Sequence, residues 1–243
     1  MIPKVIHHTA PKDKKQWHPI WEECRESWIK NFPEFTFMFW SDEDLDNLIK
    51  ESYPSYYQMY KNFPTQIIRV DFARLCILHR YGGIYCDMDF YCYKNFYDYL
   101  DEDLYVVESW KDWGEKIQNS LMVSIKEHEF WVLCMKETYD FYSNNLHLFP
   151  LDIYRRLDGK SRIELILRTA GPKIFNKSMD KYKGKGSILP KELFNPKLEL
   201  QFNWVDNIEY DFKYKYSEVH EYYQELNSQE NEIFTRHYLT GMW

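Results

Sequence analysis

Two hydrophobic periods alternate along the chain. Residues 3–8 read as a short opening strand, and residues 17–31 carry Ile20, Trp21, Cys24, Trp28 and Ile29 at helical spacing, with Pro19 tolerated in the first turn. Residues 35–40 read as an aromatic strand. Ser41 with Asp44 three positions on is a weak capping-box signal for a helix to about Lys50. Residues 65–81 contain neither Gly nor Pro, and Gly82-Gly83 closes that helix as a C-cap would. Residues 84–86 then form a short buried strand that delivers Asp87-Met88-Asp89. Further strands are expected at 104–108 and 120–125, with a helix over 127–142. This alternation predicts an α/β domain whose central sheet is mainly parallel and flanked by helices. Beyond Pro150 the period weakens: a helix over 161–168, a turn at Ala170-Gly171-Pro172, and a loop with a short strand over 184–190. Residues 207–232 are aromatic and acidic with no clear period. There is no repeat and no low-complexity linker, so a single domain over 1–243 is expected.

Asp87-Met88-Asp89 is the strongest local signal for chemistry. At a strand end, residues i and i+2 share a side, so the two carboxylates converge, and a cation beside them would relieve their repulsion. Hard oxygen ligands suit Mg²⁺ or Mn²⁺, which complete their coordination with phosphate and water. A solvated acidic turn is the plain alternative, but Gly83-Ile84-Tyr85-Cys86 before it and Phe90-Tyr91-Cys92 after it make the metal reading the better one. On the preceding helix, Asp71 and Arg74 lie on one face among apolar residues. A charged pair there either satisfies itself as an i,i+3 ion pair or faces a polar cleft, and the pattern leaves both open. Arg69 and Arg80 fall on another face and read as surface residues. His7 and His8 end the opening strand, where ligands or packing could use them. His237 alone is a weak candidate, yet the aromatic close of the chain suggests docking. Trp110 and Trp113, in a loop after a strand, are candidates for stacking on a sugar or base.

Composition narrows the partners. The 31 basic against 38 acidic residues give a net charge of −7, which disfavours nucleic acid. No run reaches the ~20 apolar residues of a bilayer span, and the first residues do not read as a secretory signal. Five cysteines without CxxC spacing read as reduced, mostly buried thiols of a cytoplasmic protein. With only 8 glycines and no P-loop, phosphoryl transfer is the weaker enzyme class. A carbohydrate-binding module, with a structural ion in the acidic turn, remains a non-catalytic alternative.

The run Ile67-Ile68-Arg69-Val70-Asp71-Phe72-Ala73-Arg74-Leu75, followed by His79-Arg80-Tyr81-Gly82-Gly83-Ile84-Tyr85-Cys86-Asp87-Met88-Asp89, resembles the Asp-x-Asp glycosyltransferases of the Och1-like, capsular-polysaccharide and toxin group (glycosyltransferase family 32 and relatives). Weaker agreements are Ile2-Pro3-Lys4-Val5-Ile6-His7, Asn119-Ser120 with His128, Gly171-Pro172, and His237 with Trp243. The resemblance implies a GT-A-like nucleotide-diphospho-sugar transferase fold, with residues 1–125 as donor-binding half and 126–243 as acceptor side and C-terminal lid. It further implies a retaining transfer of a hexose or N-acetylhexosamine from a UDP- or GDP-linked donor, assisted by Mn²⁺ or Mg²⁺. Asp89, Asp87 and His237 would hold the metal. Asp71 and Asp87 would be catalytic, and Asp71, Arg74, Asp87, His8, Gly83, Asn119 and Trp243 would contact the donor. The acceptor would be a glycan, as in surface polysaccharide synthesis. A lipid-linked glycan would bring the chain to the inner membrane face as a peripheral protein. A protein acceptor is the alternative within the group.

Overall fold

The structure is a computed structural model that describes residues 1–111, 114–196 and 233–238. Strand β1 (Val5–Thr9) leads into helix α1 (Pro19–Asn31), strand β2 (Thr36–Trp40), and helices α2 (Asp42–Ser52), α3 (Pro54–Asn62) and α4 (Gln66–Tyr81). Strands β3 (Gly83–Cys86), β4 (Phe90–Cys92), β5 (Leu104–Glu108) and β6 (Ile117–Ser124) follow, then helix α5 (Glu129–Asn144). Helices α6 (Leu151–Arg156), α7 (Gly159–Thr169) and α8 (Pro172–Lys181), strand β7 (Ser187–Leu189), helix α9 (Lys191–Phe194) and strand β8 (Thr235–His237) complete the described chain. The capping box opening α2 forms as expected, with the Ser41 hydroxyl on the Asp44 amide and the Asp44 carboxylate on the Ser41 amide.

Six strands make one sheet in the order β2-β1-β3-β6-β5-β7, and β4 pairs with β8 in a separate ribbon. Within the larger sheet only β6 runs against its neighbours, so the expected mainly parallel α/β architecture is present. Alternation sorts the side chains. Tyr85, Met122, Leu104 and Val106 pack toward α4 and α5, with Phe72, Phe130 and Trp131. Ile84, Cys86, Leu121, Val123 and Val107 pack on the other face with Trp28 and Phe32 of α1. Asp87 is two residues past Tyr85, so it falls on the α4 side.

The α4–β3 junction requires glycine twice. Gly82 (φ +64°) caps α4, and a Cβ there would lie 2.5 Å from the Lys126 amide nitrogen. Gly83 (φ +92°) runs so close to β1 that a Cβ would meet Val5 at 2.4 Å. All five cysteines are free and buried, as the sequence suggested.

Several expectations change. Helix α3, short α6 and α8 were not expected; Pro54 and Pro172 occupy their first turns, where proline costs no hydrogen bond. Arg69 is not a plain surface residue: its guanidinium donates to the Phe63 carbonyl (3.0 Å) and closes the α3–α4 turn. Trp110 is buried, and its indole donates to the Asn195 carbonyl (2.8 Å), so it anchors the interior and leaves no face for a sugar. Trp113 and residues 207–232 lie outside the described residues.

Candidate functional site

The acidic turn sits where β3 hands over to β4. The Asp87 amide donates to the Ser120 carbonyl on β6 (2.9 Å), and the Phe90 amide returns to the Asp87 carbonyl (3.2 Å). Between the two acids, Met88 is buried against Ala10, Ile20, Trp21 and Cys24. That apolar anchor fixes the turn, while the Asp87 carboxylate meets Arg74 and the Asp89 carboxylate meets His237. The Trp28 indole donates to the Phe90 carbonyl (2.8 Å), tying α1 to the same turn.

Arg74 comes from α4 and is buried with a relative exposure of 2%. One guanidinium nitrogen lies 3.2 Å from both Asp71 Oδ1 and Asp87 Oδ1; the other donates to the Asn119 carbonyl at 2.7 Å. The i,i+3 ion pair of the first reading therefore forms, and Arg74 also reaches the acidic turn through Asp87. The Asn119 amide donates to Asp71 Oδ1 (3.0 Å). Between β5 and β6, Val106 pairs with Met122 but Val107 with Gln118, so residues 119–121 bulge from the ladder. The bulge turns Asn119 toward the arginine.

Tyr85 completes this frame, and the sequence reading gave it no role. Its hydroxyl donates to Asp87 Oδ1 (2.9 Å) and accepts from Thr9 (2.9 Å), while the Arg74 guanidinium lies 4.9 Å from its ring centroid. The signal was present: Tyr85 and Asp87 are i and i+2 on one strand side.

His237 arrives on β8. Phe90 pairs with His237 in the β4–β8 register, and the imidazole stacks on the Phe90 ring at 4.5 Å and 17°. Its Nε2 lies 3.0 Å from Asp89 Oδ1, and its buried Nδ1 has no hydrogen-bond partner among the described residues. The Tyr238 amide donates to the Asp89 carbonyl (2.9 Å), and Asn195 Oδ1 accepts the His237 amide (3.4 Å). Asp87, Asp89 and His237 thus offer two oxygens and a nitrogen within 4.8 Å of one another.

Electrostatics favour a cation. Asp71, Asp87 and Asp89 are all buried, and Arg74 neutralises one of the three charges, so two remain when all are ionised. That matches one divalent ion, and the carboxylate oxygens suit a hard cation such as Mg²⁺ or Mn²⁺. Burial pushes the Asp71 carboxyl up to about 6, against the pull of Arg74 and the Asn119 hydrogen bond. Burial raises Asp87 too, with Asp89 adding to the shift and Arg74 opposing it. Burial works against the Arg74 charge, but Asp87, Tyr85 and Asp71 outweigh it and hold the guanidinium charged.

The remaining expected residues divide. Asn119 joins the frame. His8 is buried at 2% exposure beside the turn, with Nδ1 on the Cys86 carbonyl (3.1 Å); burial lowers it to about 4, so it is neutral. Its Nε2 has no hydrogen-bond partner among the described residues. His7 is packed instead, between the Gly82 carbonyl and the Trp40 indole. Gly83 serves the close approach of β3 to β1. Trp243 lies outside the described residues. Gly171, at the α7–α8 turn, backs onto the frame: a Cβ there would sit 3.4 Å from Asp71 Oδ2.

Residues 19–118 match a family model described as glycosyltransferase sugar-binding region containing DXD motif. The chain is 31% identical over 144 residues to mannosyl phosphorylinositol ceramide synthase SUR1 of Saccharomyces cerevisiae, covering 58% of this chain and 36% of that protein. It is 29% identical over 143 residues to inositol phosphoceramide mannosyltransferase 3 of Schizosaccharomyces pombe, covering 59% and 39%. It therefore spans well under half the length of these relatives. Among solved structures, the glycosyltransferase PaToxG overlaps 74% of this chain and 69% of that one, at 17% identity and a TM-score of 0.44. The helix carrying Asp71 and Arg74 and the acidic turn Asp87-Met88-Asp89 both lie within the matched residues 19–118, so this part of a mainly parallel α/β chain is similar to the sugar-binding region of DXD-containing glycosyltransferases.

Proposed function

We propose that this chain carries a metal-dependent, retaining transfer of a hexose or N-acetylhexosamine from a UDP- or GDP-linked donor to a glycan or lipid-linked glycan. The observation that carries the reading is the convergence of Asp87, Asp89 and His237 beside the Asp71–Arg74 pair. The yeast relatives are named for mannosyl transfer and for inositol phosphoceramide. This favours mannose as the first sugar to test and a lipid-borne hydroxyl as the acceptor, with surface polysaccharide as the other destination.

Breaking the bond between a sugar and a diphosphate develops positive charge at the anomeric carbon and negative charge on the leaving group. Asp87, Asp89 and His237 would hold Mn²⁺ or Mg²⁺, which supplies Lewis-acid stabilisation of the leaving diphosphate when bound. Arg74 holds Asp71 and Asp87 ionised and in place, and Asp71, with its second oxygen toward the α7–α8 turn, is set to accept hydrogen bonds from donor-sugar hydroxyls. The same two carboxylates stabilise positive charge growing on the sugar. Both are already engaged with Arg74, which makes them poor covalent nucleophiles, so retention is assigned to attack from the face the leaving group departs. A panel of UDP- and GDP-sugars with Mn²⁺ tests the proposal. Metal-dependent donor hydrolysis that disappears in Asp89→Ala is expected, and no turnover of any donor would refute it.

A further inference from the structure

The segment that leads into the Asp71 side of the site carries an unusual surface. Leu146 is 53% exposed, Leu151 47% and Ile163 59%, on the short 3₁₀ turn Leu146–Leu148, on α6 and on α7 respectively. The 3₁₀ turn packs on α6, and Arg162 of α7 donates to the Arg155 carbonyl of α6, so the three elements are adjacent. Between positions 146 and 163 there are four cations, Arg155, Arg156, Lys160 and Arg162, against two acids, Asp152 and Asp158. Arg155, Arg156 and Lys160 are exposed and have no ion-pair partner among the described residues, and Asp158 is engaged in capping α7. In a chain of net charge −7, a locally basic surface studded with exposed aliphatic side chains is the reverse of the average.

We propose that this face docks on an anionic membrane surface, with Leu146, Leu151 and Ile163 entering the headgroup boundary and Arg155, Arg156 and Lys160 meeting lipid phosphates. The charge pattern selects that occupant. Isolated leucines of this kind give weak binding alone, and basic residues around them supply the second signal that stable attachment needs. Among the described residues no helix is long and apolar enough to cross a membrane. The segment continues through α7 to Gly171, whose backbone lies against Asp71. Resting on the transferase reading above, this geometry puts the acceptor side of the site at the lipid surface and makes a lipid-borne acceptor its substrate class.

Vesicle co-sedimentation tests the docking without any turnover, using phosphatidylcholine alone and phosphatidylcholine mixed with phosphatidylglycerol. The wild-type chain should pellet with the mixed vesicles and be released by salt. Arg155→Glu/Arg156→Glu and Leu151→Asp/Ile163→Asp should each lose affinity by about tenfold or more, with unchanged melting temperature and unchanged donor hydrolysis. A wild-type chain that stays in solution with both vesicle types overturns the proposal, as does binding unaffected by either double variant. Self-association in light scattering that Leu151→Asp/Ile163→Asp abolishes, without vesicle binding, assigns the face to a second copy and also overturns it. Donor hydrolysis is read separately, so loss of the catalytic reading cannot be mistaken for loss of the docking.

Discussion

Arg74 and His237 both meet a carboxylate of the same acidic turn, but they are delivered in opposite ways. Arg74 lies 13 positions before Asp87 on a helix buried nearly all round, and it makes four polar contacts to Asp71, Asp87 and Asn119. His237 comes from far along the chain on a three-residue strand, held by pairing with β4, by the Phe90 ring and by one contact to Asp89. The first is a prebuilt frame whose charges already balance in part. The second is a clasp that completes the cation site only after the chain has closed on itself. A frame of this kind should dominate stability, and a clasp should dominate metal affinity.

Substitutions can break that division. The largest effect is expected for Arg74→Met, which leaves Asp71 and Asp87 buried without a counter-charge; about 3–5 kcal/mol of stability should be lost in urea unfolding at neutral pH. His237→Ala should raise the Mn²⁺ concentration for half-maximal donor hydrolysis by about 10–100-fold, while the urea midpoint barely moves. A stability loss as large as that of Arg74→Met would make the clasp structural instead. Tyr85→Phe removes one hydrogen bond to Asp87 and should cost about 1 kcal/mol in stability or transition-state binding, with metal activation unchanged.

A pH-dependent effect concerns Asp71. Its folded-state pKa of about 6 lies above the ordinary 3.8, so between those values the folded chain holds a proton that the unfolded chain has released. Stability therefore falls as pH rises through that window. Asp71→Asn removes the slope, and relative to wild type it should gain about 2–3 kcal/mol between pH 4 and pH 7, although donor turnover is lost. A parallel pH profile for the two proteins would rule out the raised pKa.

The same contrast explains what the sequence disclosed. Asp71, Arg74, Asp87 and Asp89 were legible because an i,i+3 helix pair, a glycine doublet and an i,i+2 strand pair are local patterns. Tyr85 had the same strand spacing, but a tyrosine among 21 reads as core. Neither the β5–β6 bulge behind Asn119 nor the β4–β8 pairing behind His237 has a local signature; the resemblance pointed to Asn119, and His237 was otherwise only a weak candidate. Helix α8 was hidden because Ala170-Gly171-Pro172 reads as a turn, although Pro172 occupies the first turn of the helix as Pro19 does in α1, and the residues of α3 gave no clear helical period. Trp110 misled for a different reason, since burial depends on what the rest of the chain brings to it, here the Asn195 carbonyl.

Electron paramagnetic resonance of Mn²⁺ titrated into the protein with a nucleotide diphosphate tests the central claim most directly. One tightly held ion per chain is predicted for wild type, weakened in His237→Ala and abolished in Asp89→Ala. Equal Mn²⁺ binding by all three proteins would contradict it.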